Sequence, residues 1–191
     1  MSRRYCSTCD FPATACVCHA LTNITSNTRI HILQHSSEVK AAKGTVRLLQ
    51  LILPDTQVYV GETPDDFKIV KEQVTKNTDS WALLYPNDDA VLASAISTQN
   101  IQNLIAIDGT WKKAYRILQL NTWLQDITAV SFSGDIQSRY RIRKAKIPNS
   151  FSTLESVGLC LHELEGTPLS AFEKVLEARM KTFEQYSSQH E

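Results

Sequence analysis

The chain has 191 residues, enough for one domain with a substantial core and room for a small appendage. Twenty basic residues balance twenty acidic ones, so no global field draws the chain to nucleic acid or to a charged membrane. No window approaches the roughly 18 apolar residues that span a bilayer, and no apolar core follows Arg3 and Arg4, which argues against a membrane anchor or secretory signal and sets the expectation of a cytoplasmic protein.

Four of the five cysteines lie near the start, as a C-x2-C pair, Cys6 and Cys9, and a C-x-C pair, Cys16 and Cys18. Two such pairs facing each other offer four sulfurs in a tetrahedral array, the preferred donor set of structural Zn²⁺. Redox thiols or an unstructured tail are the alternatives. With four thiolates around Zn²⁺ the site alone carries about −2, which hides some basic excess in the neutral total. Residues 1–22 therefore read as a zinc-binding segment and residues 23–191 as the main domain. The lone Cys160 falls inside an apolar helical pattern and reads as a small core residue.

Downstream, strand and helix patterns alternate. Residues 29–33 alternate polar and apolar and predict a first strand, followed by a loop over 34–38. A helix is expected to carry Val39, Val46, Leu49, Ile52 and Leu53 inward until Pro54 ends it. Lys40, Lys43 and Arg47 would then share one face, either solvated or touching phosphate. Residues 57–60 predict a second strand, 65–76 an amphipathic helix with Phe67, Val70 and Val74 inward, and 81–85 a third, fully apolar strand stopped by Pro86. A short helix is expected over 88–96, with Asp88 and Asp89 in its first turn. Residues 104–107 predict the fourth strand, the helix after it runs to about Leu120, and 128–132 predict the fifth. Strands alternating with helices point to an α/β fold, a mostly parallel sheet flanked by helices on both faces.

Arg139, Arg141, Arg143, Lys144 and Lys146 place five cations within eight residues, with Tyr140 and Ile142 interleaved. In an extended segment the arginines share a face, which suits either RNA phosphates or a soluble edge strand. Ser152 and Glu155 form a capping box for a helix carrying Leu154, Val157, Leu161 and Leu164 to a stop at Gly166. Thr167-Pro168 opens the last helix, with Phe172, Val175, Leu176, Arg179 and Phe183 on or near one face.

The fourth strand ends in Asp108-Gly109-Thr110-Trp111, and a helix with Lys112, Lys113 and Arg116 on its polar side follows. The carboxyl ends of the strands are where an open α/β sheet binds its ligand. Glycine there permits a tight turn and close approach of a bound molecule. Asp108 is either a helix cap, a ligand holder or a general base; Trp111 is either a pocket wall or a core residue.

The Asp108–Trp111 string resembles the signature of the DTW-domain family. Gln34-His35 with Glu38, Leu83-Leu84-Tyr85-Pro86, Arg143-Lys144 and Ser152-Thr153-Leu154-Glu155 match that family in order, as do the four cysteines. Ser36 stands where the family commonly has proline. The resemblance implies a tRNA-uridine aminocarboxypropyltransferase related to the trefoil-knotted SPOUT class. Such an enzyme uses S-adenosylmethionine as co-substrate and modifies N3 of a uridine in the tRNA variable loop. On that reading Asp108 is the base. Leu84, Tyr85, Pro86, Gly109, Thr110, Trp111, Arg143, Ser152, Thr153 and Glu155 contact the sulfonium nucleotide. Lys112, Lys113, Arg139, Arg141, Lys144 and Lys146 contact tRNA. His35 and Glu38 receive no role. No obligate protein partner is implied, and both monomer and homodimer fit. The competing readings are a methyltransferase of the same class, separable by its S-adenosylhomocysteine product, and a non-enzymatic zinc-containing RNA-binding module.

Overall fold

The computed structural model describes residues 4–97, 100–133, 138–140 and 150–188, with the last three as backbone only. Among these, the strands are β1 (Arg29–Gln34), β2 (Gln57–Val60), β3 (Trp81–Leu84), β4 (Val91–Leu92), β5 (Asn103–Asp108) and β6 (Thr128–Ser131). They form one sheet in the order β2-β1-β5-β3-β6-β4, and every neighbouring pair is parallel. The helices are α1 (Val46–Ile52), α2 (Lys68–Val74), α3 (Trp111–Leu120), α4 (Thr153–Glu165) and α5 (Ser170–Ser188).

The period-2 alternation of the strands sorts the core into two layers. Ile30, Ile32, Ala82, Leu84, Leu104 and Ala106 pack with α1, α4 and α5. Leu33, Trp81, Leu83 and Ile105 pack with α2 and α3 on the opposite face. This parity decides the site. Gln34 and Asp108 are the last residues of their strands and sit opposite each other in register. Both have the parity of the α4 side, so their side chains meet the start of α4.

Three expected helices come out differently. Residues 88–96 form the short edge strand β4 and a 3₁₀ turn over Ala93–Ile96 instead of a helix. A nine-residue helix is marginal. Pairing Val91 and Leu92 with Val130 and Ser131 extends the sheet, while Ala93 and Ile96 still reach the core. The helix expected from Val39 begins only at Val46, and Val39 is exposed. Two carbonyls from its second turn are taken elsewhere: Tyr140 Oη donates to Lys43 O at 3.0 Å, and Arg179 Nη2 donates to Ala42 O at 2.9 Å. Lys40, Lys43 and Arg47 therefore do not line up along one helix. The 65–76 pattern starts its helix at Lys68, because the Asp66 carboxylate clasps the preceding turn through the amides of Glu62 and Thr63 and the Thr63 hydroxyl. Those donors hold the Asp66 carboxyl below its ordinary range.

The cysteine segment packs into the main core. Cys9, Phe11, Val17 and Ala20 belong to the same apolar cluster as α1, α4 and α5. The guanidinium of Arg179 lies between the rings of Phe11 and Phe183, at 4.1 and 4.4 Å, and Arg47 covers Phe11 at 4.7 Å.

Candidate active site

The carboxyl ends of β3, β5 and β6 open into a cavity of about 420 Å³. Leu84, Tyr85 and Pro86 form one wall and Ala106, Ile107 and Gly109 the next. Trp111 and Ala114 of α3 close one side, and Ser131, Phe132, Ser150, Phe151, Thr153 and Ser156 close the other. This is where the strand order of an open α/β sheet leaves room for a ligand. Phe132 and Phe151 meet edge to face, their centroids 5.1 Å apart. Trp111 is 42% exposed and stands at the mouth, a wall of the cavity and not a core residue.

Asp108 is 8% exposed and does not itself line this cavity. Thr153 does, and its hydroxyl donates to Asp108 Oδ1 at 2.5 Å. Gln34 Nε2 donates to Oδ2 at 3.0 Å. The carboxylate is thus held by two neutral donors one side chain behind the wall. Gly109 needs no left-handed backbone; Gly166, at φ 75°, is the one glycine that does among the described residues. A Cβ on Gly109 would lie 3.1 Å from Lys113 Cβ, so its value is the close seating of the turn on α3.

Several expected contact residues serve the frame of the site. Ser152 and Glu155 complete the capping box, each side chain accepting from the other's backbone amide. Glu155 also takes the Ser138 hydroxyl and the amides of Arg139 and Tyr140, which pins the start of the basic segment to the head of α4. Neither Ser152 nor Glu155 lines the cavity, and neither does Thr110, which stands at the N-cap of α3. Lys113 holds the loop after β1, with Nζ 2.7 Å from Glu38 Oε1 and 2.6 Å from Ser37 Oγ. His35 Nε2 approaches Glu62 at 3.4 Å, and Arg116 pairs with that same glutamate at 3.0 Å. His35 and Glu38 therefore tie the β1–α1 loop to β2 and α3. Lys112 is exposed, and Arg139 pairs with Glu173 at 3.1 Å. Arg141, Arg143, Lys144 and Lys146 lie outside the described residues.

Sequence reasoning missed Phe132, Ser131, Ser156 and the wall formed by Ala106 and Ile107. Their signal was position: each follows or ends a strand, or flanks the α4 cap. Gln34 belongs to a recognisable motif, but its pairing with Asp108 depends on strand register, which no local pattern carries.

The four N-terminal cysteines come together, their sulfurs all within 4.8 Å of one another. Cys6 and Cys18 are 3.6 Å apart, and Cys9 and Cys16 3.7 Å. These spacings are far too long for disulfides. They match the roughly 3.8 Å expected between sulfurs around tetrahedral Zn²⁺ with bonds of about 2.3 Å. The amides of Cys9 and Thr8 and the thiol of Cys18 hydrogen-bond to Cys6 and bring its thiol down to about 6. The hydrogen bond of Cys18 with Cys16 favours its protonated form and pushes it up to about 12. One divalent cation would satisfy all four. The four sulfurs could hold one metal ion.

The DTW domain family model matches residues 3–188. The Drosophila melanogaster protein named tRNA-uridine aminocarboxypropyltransferase 2 is 32% identical over 172 residues, covering 87% of this chain and 68% of that relative. Proteins of the same name from Macaca fascicularis and Mus musculus are 29% and 28% identical over 173 residues, each covering 85% of this chain. The chain spans only 57% of the length of those two mammalian relatives. No solved structure matches it. With the family model covering nearly every residue, and the cysteines, the Asp108–Trp111 turn and the α4 cap assembled as described, the chain belongs to the DTW-domain family.

Proposed function

We propose that this chain transfers the 3-amino-3-carboxypropyl group of S-adenosylmethionine to N3 of a uridine in tRNA, releasing 5′-methylthioadenosine. The observation that carries the reading is the Asp108–Thr153 hydrogen bond at the rim of a nucleoside-sized cavity on the carboxyl ends of the strands. The names of the relatives supply the substrate class. Zn²⁺ is the metal we assign to the cysteine cluster, in a structural role, because the four sulfurs leave no open position for a reacting water.

In this reading the aromatic walls, Phe132, Phe151 and Tyr85, take the adenine, and Trp111 faces the sulfonium. A cation over an aromatic face gains on the order of 1 kcal/mol. The N3 lone pair attacks the γ-carbon of the aminocarboxypropyl arm, the carbon–sulfur bond breaks, and sulfur keeps the electron pair as a neutral thioether. The N3 proton must leave. Thr153 presents its hydroxyl to the cavity and already donates to Asp108, so it accepts that proton as its own passes to the carboxylate. Which carbon of the sulfonium meets N3 depends on how the walls orient the ligand, a matter of position and not of a special catalytic group. Arg139, Arg141, Lys144 and Lys146, with Lys112, contact the RNA in this proposal, and Arg143 contacts the sulfonium nucleotide.

The test is incubation with unmodified tRNA and S-adenosylmethionine, followed by analysis of the small-molecule product. Methylthioadenosine supports aminocarboxypropyl transfer. S-adenosylhomocysteine would replace it with methyl transfer.

A further inference from the structure

A second cavity, of about 740 Å³, lies on the other side of Asp108, between the cysteine segment, the β1–α1 loop and α5. Its lining differs in kind from the first. Lys40, Arg47 and Arg179 supply cations against Asp10 and Glu38, and exposed Tyr5 supplies an open aromatic face, while the Phe11 and Phe183 rings are covered by the Arg179 guanidinium. Gln34 also lines it, and Gln34 Nε2 is bonded to Asp108. Asp108 is therefore tied through one oxygen to a wall of the first cavity and through the other to a wall of the second.

Arg179 gives this cavity its most deeply buried cation. It is 7% exposed, and no carboxylate pairs with it among the described residues. One nitrogen donates to Ala42 O and another to Thr182 Oγ1, but Nε is buried with no hydrogen-bond partner among the described residues. Burial, and after it the neighbouring Arg47 cation, lower its pKa. A buried guanidinium with an unsatisfied donor, lining a roomy cavity, calls for an anion. Arg47 and exposed Lys40 extend the same charge to the surface, although Arg47 is partly neutralised by Asp10. Cations beside stacking faces are the combination that holds a single-stranded RNA segment, one partner for the phosphate and one for the base.

We infer that this second cavity holds the acceptor RNA strand, with a backbone phosphate on Arg179, Arg47 and Lys40, and that the target uridine of the same strand enters the first cavity beside Thr153. The inference rests on the RNA-modifying reading above and adds where the RNA lies. It also ties the metal-binding segment to substrate binding, since Tyr5 and Phe11, which flank the cysteines, form one wall of the RNA site. The RNA backbone and the sulfonium nucleotide are then held at separate sites, and only the target base reaches the first cavity, of about 420 Å³.

The experiment uses the full metal-loaded chain and unmodified tRNA without S-adenosylmethionine, so that it does not depend on turnover. Lys40→Glu and the double variant Lys40→Glu/Arg47→Gln are compared with Lys68→Glu, an exposed lysine on the opposite face. Anisotropy across a salt series is expected to show tRNA binding weakened on the order of tenfold in the double variant, with a salt slope shallower by roughly one to two. Metal content, Tm and calorimetric affinity for S-adenosylmethionine should match those of Lys68→Glu. Lys40 is solvent-exposed, so its single variant keeps the test valid if the double variant loses metal. Crosslinking with 4-thiouridine-substituted tRNA should mark residues 5–15 or 34–47. Unchanged tRNA affinity and slope in both variants, or crosslinks confined to Trp111 and Phe151, would overturn the inference. Binding through this groove without release of methylthioadenosine would uphold it while sinking the transferase reading.

Discussion

At the scale of single residues, the proposed chemistry rests on Asp108 and on what holds it. Two neutral side chains, Gln34 and Thr153, fix the carboxylate at the meeting point of β1, β5 and α4. Asp108→Asn keeps the shape of that side chain and removes its capacity to accept a proton. Single-turnover transfer should fall about 10²–10⁴-fold, with calorimetric affinity for S-adenosylmethionine retained. Thr153→Val should show the same pattern and Thr153→Ser should keep most of the activity, since only the hydroxyl is needed for the relay. Near-normal turnover in Asp108→Asn would remove it as proton acceptor.

His31 makes a separate prediction. It is 2% exposed, between Tyr59 and Trp81, with Nε2 3.1 Å from Asn103 Oδ1. Burial lowers its pKa from 6.5 to about 4. The unfolded chain therefore takes up this proton at a higher pH than the folded one. The stabilisation is complete above about pH 6.5 and is lost progressively as pH falls towards 4, reaching about 3 kcal/mol. Urea unfolding of the chain between pH 7 and 4 should show this loss, and His31→Gln should flatten it.

At the scale of elements, α4 is the piece that closes the first cavity through Thr153 and Ser156, and it is fixed at each end. Its capping box was visible in the spacing of Ser152 and Glu155, and its left-handed stop in Gly166. Gly158 faces α5, where a Cβ would lie 2.9 Å from the Phe172 ring. Gly158→Ala should therefore destabilise by about 1–3 kcal/mol in urea unfolding, against the small gain alanine brings to an unconstrained helix. The strands were readable because their apolar runs are short, continuous and bounded by Gly, Pro or polar turns. The segments misread as helices, 39–45 and 88–96, failed for tertiary reasons. Arg179 and Tyr140, distant in sequence, take the carbonyls that a helix from Val39 would have used. Likewise, the free edge of β6 recruits Val91 and Leu92 into the sheet. Long-range hydrogen bonds of this kind leave no mark in local periodicity. The same limit hid the Gln34–Asp108 pair, while the Asp108–Trp111 turn and the cysteine spacing were fully legible.

At the scale of the molecule, the cysteine cluster is built into the core and not hung from it. Cys9, Phe11 and Val17 are buried with α5, and Phe11 carries Arg179 on one face. Stripping the metal should therefore lower the Tm of the whole chain in one transition, not melt a separate segment. The loss should come more easily as pH falls, because the cysteines bind metal only as thiolates. A chelator that removed stoichiometric metal without shifting the Tm would deny the cluster its structural role. Two cavities of different chemistry, one apolar and aromatic, the other cationic and aromatic, then flank a single buried carboxylate. That arrangement suits a reaction between a sulfonium nucleotide and an RNA base better than one small substrate in one pocket.

The most direct measurement is mass spectrometry of the nucleosides from unmodified tRNA treated with the chain and S-adenosylmethionine. A uridine carrying the 3-amino-3-carboxypropyl group, matched mole for mole by methylthioadenosine, is the predicted result. A methylated nucleoside with S-adenosylhomocysteine, or tRNA that is bound but left unaltered, would contradict it.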